Sequence, residues 1–325
     1  MRAFALDAFG APSTGSIRDL PIPEPGDGQV RIRVDAAGVN PADVDAAAGR
    51  YQDFMPTSFP LVPGFDLAGI VDALGPGAAR FAVGDRVFGQ IGAWTVGAGT
   101  FAEYAIASTG AIARQPDGVD AAFAGSLPLP GVAAQLMVDA GAPRAGDVVV
   151  VVGATGGIGS VAVQLLVGIG ARPIAVTRAE NRAYARELGA LDAIDYRTQD
   201  VTATVAAAHP AGIAGVFDLA GDADLNGRLA ALIHRGGFLV SMARGANDET
   251  LRALGVAATN IQAQVTADQL ERLAARVKDG TISRPEITAF RLEEAAVALE
   301  RVAERHVRGK LVIAVSDVDM STSAS

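Results

Sequence analysis

Between Asp147 and Arg172 the chain runs for 24 residues without a charge, VVVVVGATGGIGSVAVQLLVGIGA. Two structures accommodate such a stretch. About 20 apolar residues cross a bilayer as a helix. Alternatively, the valines form a buried strand, the glycines a tight turn and the remainder a helix. Six glycines weaken a spanning helix, and the flanks lack the positive-inside asymmetry that orients one. The strand, turn and helix reading is the stronger.

The residues that follow support it. The further apolar runs PIAVT, DAIDY, GVFDLA, FLVSMA and ATNIQAQV alternate with helical segments such as ENRAYAREL and VTATVAAA. Short Val- and Ile-rich runs separated by helices predict an α/β fold, a doubly wound parallel six-stranded Rossmann sheet over residues 122–265. Residues 1–121 are punctuated by PIPEPGDG, VNPADV, LVPGFD and AVGDRV, which predicts short strands in an irregular β-rich domain. Residues 266–325 carry too few elements to stand alone. They are expected to fold back onto the β-rich domain, so that the sheet is inserted between its two parts, and to end in a disordered tail, SDVDMSTSAS.

Composition removes several function classes. Twenty-seven basic against 36 acidic residues give a net charge of −9, with no block of Lys or Arg, which disfavours nucleic acid and anionic membranes as partners. The absence of Cys excludes disulfides, thiolate nucleophiles and Cys-ligated zinc. His209, His234 and His306 show no ligand spacing, so no metal site is expected. The first residues, MRAFALDAFGAPST, are interrupted by Asp7 and do not read as a signal peptide, so a cytoplasmic location is expected.

Ala154, Gly156 and Gly159 fill the three small-residue positions of a dinucleotide turn. Small residues there let the chain bend, let backbone N–H groups reach a pyrophosphate and let the helix lie close to the strand. An acid about 20 residues further on would hold the ribose 2′-OH of NAD. Position 178, 19 residues beyond Gly159, is Arg instead. Thr177, Arg178 and, one turn later, Arg182 offer hydroxyl and guanidinium groups to a 2′-phosphate, which favours NADPH. The alternative is that Glu180 takes the ribose and Arg178 is a surface cation.

The words GVNPADVDAAAGRY, FPLVPGFDLAGIVDALGPGAARFAVGDRVFG, GTFAEYAI, AGDVVVVVGATGGIGSVAVQLL and RGKLVI occur in this order. Together they resemble the medium-chain dehydrogenase/reductase superfamily, in its zinc-independent quinone oxidoreductase (zeta-crystallin-like) branch. The resemblance implies a GroES-like catalytic domain around the Rossmann unit. It also implies metal-free transfer of hydride from NADPH, held between the domains, to a quinone or α,β-unsaturated carbonyl. Zinc-dependent members carry a Cys and a G-H-E motif where this chain has Asn40 and Phe65-Asp66. By resemblance Asn40 faces nicotinamide and substrate, with Asp43 in the same turn, and Tyr51 stands where enoyl-thioester reductases carry a proton-donating Tyr. Read locally, an Asn before Pro is also a turn former and Tyr51 a packing residue.

The same resemblance implies pyrophosphate contacts from Thr155, Gly156, Gly157 and Ile158, and an adenosine-phosphate end at Thr177, Arg178 and Tyr196. Nicotinamide contacts are implied at Ala220, Gly221, Ser241 and Met242. Arg308 and Lys310 either approach the cofactor or stay solvated. A homodimer or homotetramer is implied, and an enoyl-thioester reductase or a non-catalytic NADPH-binding crystallin-like protein remain alternatives. A short-chain dehydrogenase fits poorly, since none of Tyr51, Tyr104, Tyr184 or Tyr196 has Lys four residues on.

Overall fold

The computed structural model describes residues 1–92, 95–246 and 248–316. The tail expectation therefore lies, from residue 317 on, outside the described residues. The chain divides into two compact units, one comprising Met1–Leu129, Gln264–Lys278 and Arg284–Ser325, the other Pro130–Ala263 and Asp279–Ser283.

The second unit is built on the six runs read from the sequence. Its six-stranded sheet runs, edge to edge, Asp192–Asp195, Arg172–Thr177, Val148–Val152, Ile213–Asp218, Ile233–Ser241 and Ala257–Asn260. All neighbours are parallel, and the order reverses beside Val148–Val152, where doubly wound sheets bind their ligands. Both faces of this central strand are covered. Val149, Val150 and Val151 are inaccessible to solvent, and Val161, Ala162, Val163 and Leu166 of the following helix, Gly157–Ile169, are buried as well. Burial in protein accounts for the charge-free stretch, and among the described residues no helix is long and apolar enough to cross a membrane. Gln164 of the same helix accepts from Ser283 N and Oγ at 2.8 Å each, which ties the returning segment Asp279–Ser283 to this unit.

In the first unit, a seven-stranded sheet runs Ile287–Arg291, Lys310–Ala314, Gln29–Val39, Asp66–Leu74, Arg86–Gln90 and Ile112–Arg114, with Tyr104–Ser108 also on Gln29–Val39. Apart from the parallel pair Ile287–Arg291 and Lys310–Ala314, neighbours are antiparallel. Phe4, Ile32, Leu67, Phe101 and Ile112 share one buried core with Leu299 and Val302 of the helix Ala295–Ala303 and with Leu311. This shared core is what draws the later segment back, since each such side chain contributes about 1.5–3 kcal/mol on burial. The first stretch of this unit extends to Leu129, beyond the expected boundary at 121. The helix Ala121–Ser126 is buried throughout, and its Gly125 packs against Ala36 of the central strand.

Candidate functional site

In the α/β unit, the turn after Val148–Val152 has the geometry the glycine spacing predicts. Gly156 caps the helix Gly157–Ile169. A Cβ on Gly159 would lie 2.3 Å from Gly153 O and 2.7 Å from Ala154 Cα, so only glycine brings helix and strand this close. The first N–H groups of a helix have no partner within it and favour an anion. Thr155 and Thr177 are buried with their hydroxyl oxygens 2.6 Å apart. Their side chains bind each other and clamp the turn to the end of the second strand, and the hydroxyl that accepts keeps its own proton to donate.

Beyond Thr177, Arg178 donates from Nε to the Tyr196 hydroxyl at 3.3 Å and lies 3.7 Å from the exposed Glu180 carboxylate. Its Nη2 and the Nε of Arg182 are buried without a partner. The structure thus gathers Thr177, Arg178, Arg182 and Tyr196 at one end of the sheet, with two guanidinium N–H donors unspent.

At the ends of the fourth and fifth strands, the sequence reading missed the organising residue, Asp218. Fully buried, Asp218 accepts from Ala220 N at 3.1 Å, Gly221 N at 2.9 Å and Ser241 Oγ at 2.6 Å. Ser241 Oγ in turn accepts from Ala243 N and Gly245 N at 3.0 and 2.8 Å, and Met242 N donates to Asp218 O at 3.0 Å. One carboxylate therefore shapes both loops that carry Ala220, Gly221, Ser241 and Met242. An acid closing the apolar run GVFD was the available signal.

In the β-rich unit a polar cluster is buried beside the start of the helix Pro41–Ala47. Asn40 is its N-cap and Pro41 its first residue, the position that tolerates a missing N–H. Asp43 reaches back so that its Oδ2 accepts from Asn40 N at 2.6 Å, while its Oδ1 has no partner. The Asn40 side chain points elsewhere. Its Nδ2 donates to Asp66 Oδ2 at 2.9 Å and its Oδ1 accepts from Lys310 Nζ, which also donates to Val39 O at 2.6 Å. Asp66 Oδ1 accepts from Gln90 Nε2 at 2.8 Å and Leu129 N at 3.2 Å.

Lys310 corrects the expectation of a solvated or cofactor-facing cation, because it is only 5% exposed and its ammonium bonds inward to Val39 and Asn40. Arg308 turns outward and pairs with Glu286 at 2.6 Å. Tyr51 is half-buried with its ring 5.8 Å from that of Phe54. Gln90 and Asp66 were not singled out as site residues, and only the mismatch of Phe65-Asp66 with a G-H-E motif marked their neighbourhood.

Burial dominates the titration of this cluster. It pushes the Asp43 carboxyl up from 3.8 to about 8, opposed first by the Asn40 N–H. Asp66 is likewise raised by burial, against Lys310, and Lys310 is lowered by burial, against Asp66 and Asp43. With Asp43 protonated, one ammonium faces one carboxylate and the cluster is neutral, which a buried site requires. Because the folded-state value of Asp43 exceeds its unfolded one, its stabilising contribution is complete below 3.8 and is lost as pH rises through about 8. Melting temperature is expected to fall between about pH 4 and about pH 8, and Asp43→Asn to flatten that fall. An unchanged slope in the variant would overturn the assignment.

Comparison with known proteins places these two units in a family. Residues 26–117 match the alcohol dehydrogenase GroES-like domain and residues 188–313 the zinc-binding dehydrogenase domain. The chain belongs to the medium-chain dehydrogenase/reductase superfamily. This superfamily member is 32% identical over 209 residues to the chloroplastic quinone-oxidoreductase QR1 of Triphysaria versicolor, a match spanning 62% of each chain and so less than two thirds of that relative. To the quinone oxidoreductase of Sus scrofa it is 29% identical over 328 residues, 96% of this chain and 97% of that one. Among solved structures, the quinone oxidoreductase from Coxiella burnetii matches with a TM-score of 0.86 at 29% identity, over 97% of this chain and 99% of that one.

Proposed function

We propose that the chain is a metal-free, NADPH-dependent oxidoreductase that passes hydride to a quinone or an α,β-unsaturated carbonyl. The observation that carries the reading is the buried Asn40 amide held between Asp66 and Lys310. Zinc does not fit these residues. Asn40 and Asp66 are bonded to one another, no Cys exists in the chain, and the Lys310 ammonium already lies on Asn40, where a second cation would be repelled. Among the described residues no group of three His, Cys, Asp or Glu is placed to hold a metal.

A nicotinamide dinucleotide does fit. The backbone of Thr155, Gly156, Gly157 and Ile158 would hold its pyrophosphate, and the unspent donors of Arg178 and Arg182 a 2′-phosphate. When bound in its reduced form, it supplies a hydride, one proton with two electrons, and a second proton from solvent or Tyr51 completes the reduction. Asn40 has a further Nδ2–H beyond the one given to Asp66, and that donor stabilises negative charge on the acceptor's carbonyl oxygen. A conjugated acceptor spreads this charge, so a single neutral donor suffices where an isolated alkoxide would need a metal. That the chain's relatives are quinone oxidoreductases supports the same acceptor class.

One observation favours an enoyl-thioester variant of this reading. The Tyr51 phenol is raised first by burial and then by the Asp45 carboxylate, and it keeps its proton at neutral pH, as a donor to the substrate must. Its neighbour Phe54 lines an open cavity of about 490 Å³ with Phe9, Met55 and Pro56 and with the polar Gln52, Asp53 and Thr57.

Following NADPH absorbance with 1,4-benzoquinone, an alkenal and a crotonyl thioester tests the assignment. Oxidation with the quinone or the alkenal is expected. Turnover confined to the thioester and abolished in Tyr51→Phe would replace it with enoyl-thioester reduction, and tight NADPH binding with no acceptor reduced would leave a binding protein.

A further inference from the structure

We propose that Lys310 is a positioning residue of the hydride-transfer site, a fixed buried ammonium that orients and polarises the Asn40 amide; the proposal rests on the reading of Asn40 as the group that meets the acceptor.

The backbone delivers Lys310 to this place deliberately. Gly309 has φ +63°, and a Cβ there would lie 2.0 Å from Glu286 O, so glycine alone permits the approach. The strand Lys310–Ala314 then pairs antiparallel with Gln29–Val39 in the register Leu311 to Val39, which brings Lys310 level with Asn40. A lysine is rarely buried without a reason beyond stability, because the ammonium forfeits its hydration. The strand does not need it, since Leu311, Val312 and Ile313 carry the apolar burial themselves.

What the ammonium does is fix an amide. Lys can only donate, so the atom of Asn40 facing it is Oδ1, and Nδ2 is thereby directed to the Asp66 carboxylate. Neither amide orientation nor rotamer is then free to vary. A cation on Oδ1 also draws electron density from the amide nitrogen, which strengthens the remaining N–H as a donor. Asp66, held by Gln90 and Leu129 N, supplies the compensating charge and closes the frame on the other side. Lys310 thus supplies fixed positive charge at the reacting oxygen through one intervening amide, touching neither acceptor nor cofactor.

A double-mutant cycle in the full-length protein tests this. Lys310→Met is expected to lower kcat about 10- to 100-fold, the range for a partner that orients a reacting group, with the Kd for NADPH unchanged. Lys310→Arg, which keeps the charge, is expected to recover part of the loss. In the Asn40→Ala background, Lys310→Met should cost nothing further, because its effect passes through Asn40. Independent, additive losses would overturn the proposal. Should Lys310→Met not fold, Lys310→Gln keeps a donor to Val39 and Asn40 and is expected to show the same loss. The Asn40 side-chain amide resonance, assigned by its disappearance in Asn40→Asp, reads the contact without turnover and should move in either Lys310 variant. A resonance that stays in place overturns the proposal even in an active enzyme. A resonance that moves in a protein reducing no acceptor instead overturns the assigned reaction and leaves the contact standing.

Discussion

Replacing Asn40 with Ala is expected to lower kcat with a quinone acceptor by about 10²- to 10³-fold, the range for deleting one preorganised donor to developing charge. The Kd for NADPH should change far less, because the pyrophosphate turn belongs to the α/β unit. The Asn40 side chain also partners the buried Asp66 and Lys310, and leaving a buried polar group unpaired costs about 1–3 kcal/mol. Some fall in melting temperature is therefore expected in the same variant, and assays belong well below its midpoint. A kcat within about threefold of the parent would show that the amide does not meet the reacting oxygen.

The second large effect concerns the choice of dinucleotide. Arg178→Asp should weaken NADPH by about 10- to 100-fold while leaving NADH within a few-fold, since one charge-assisted hydrogen bond is worth about 1.5–3 kcal/mol. The ground for the asymmetry is the pair of unspent guanidinium donors, Nη2 of Arg178 and Nε of Arg182. Glu180, 3.7 Å from Arg178, tempers this cation in the parent and is the carboxylate that a ribose 2′-OH would use. Isothermal titration of both nucleotides against parent and variant decides the matter. Equal losses for the two would move the ribose to Glu180 and remove the 2′-phosphate from this end of the sheet.

The Rossmann unit was legible because its signals are local. VVVVV, the glycine turn and the alternating Val- and Ile-rich runs each reflect a strand or helix that fits within about twenty residues, and the strand order follows from the family of doubly wound sheets. Asn40 was legible too, through its place in GVNPAD. What surrounds it was not. Lys310 and Asn40 are 270 residues apart, and nothing in RGKLVI distinguishes a lysine that caps a strand in water from one that turns into a core. Asp218 and Gln90 act through side chains at strand ends, where periodicity says which face is buried but not which polar group is held there. Thr155 and Thr177 were read as ligands from their positions, and the bond between their hydroxyls, 22 residues apart in sequence, carried no signal there.

That separation between Asn40 and Lys310 also dictates the order in which the protein matures. The α/β sheet draws all its strands from residues 148–260, so it can close while later residues are still being made. Asn40 leaves the ribosome long before its ammonium does, and until Lys310–Ala314 docks, the end of the strand at Ala36–Val39 lacks that partner and the amide has only half its frame. Nucleotide affinity should therefore emerge in a nascent chain well before turnover, and chains halted short of residue 310 would bind without reducing.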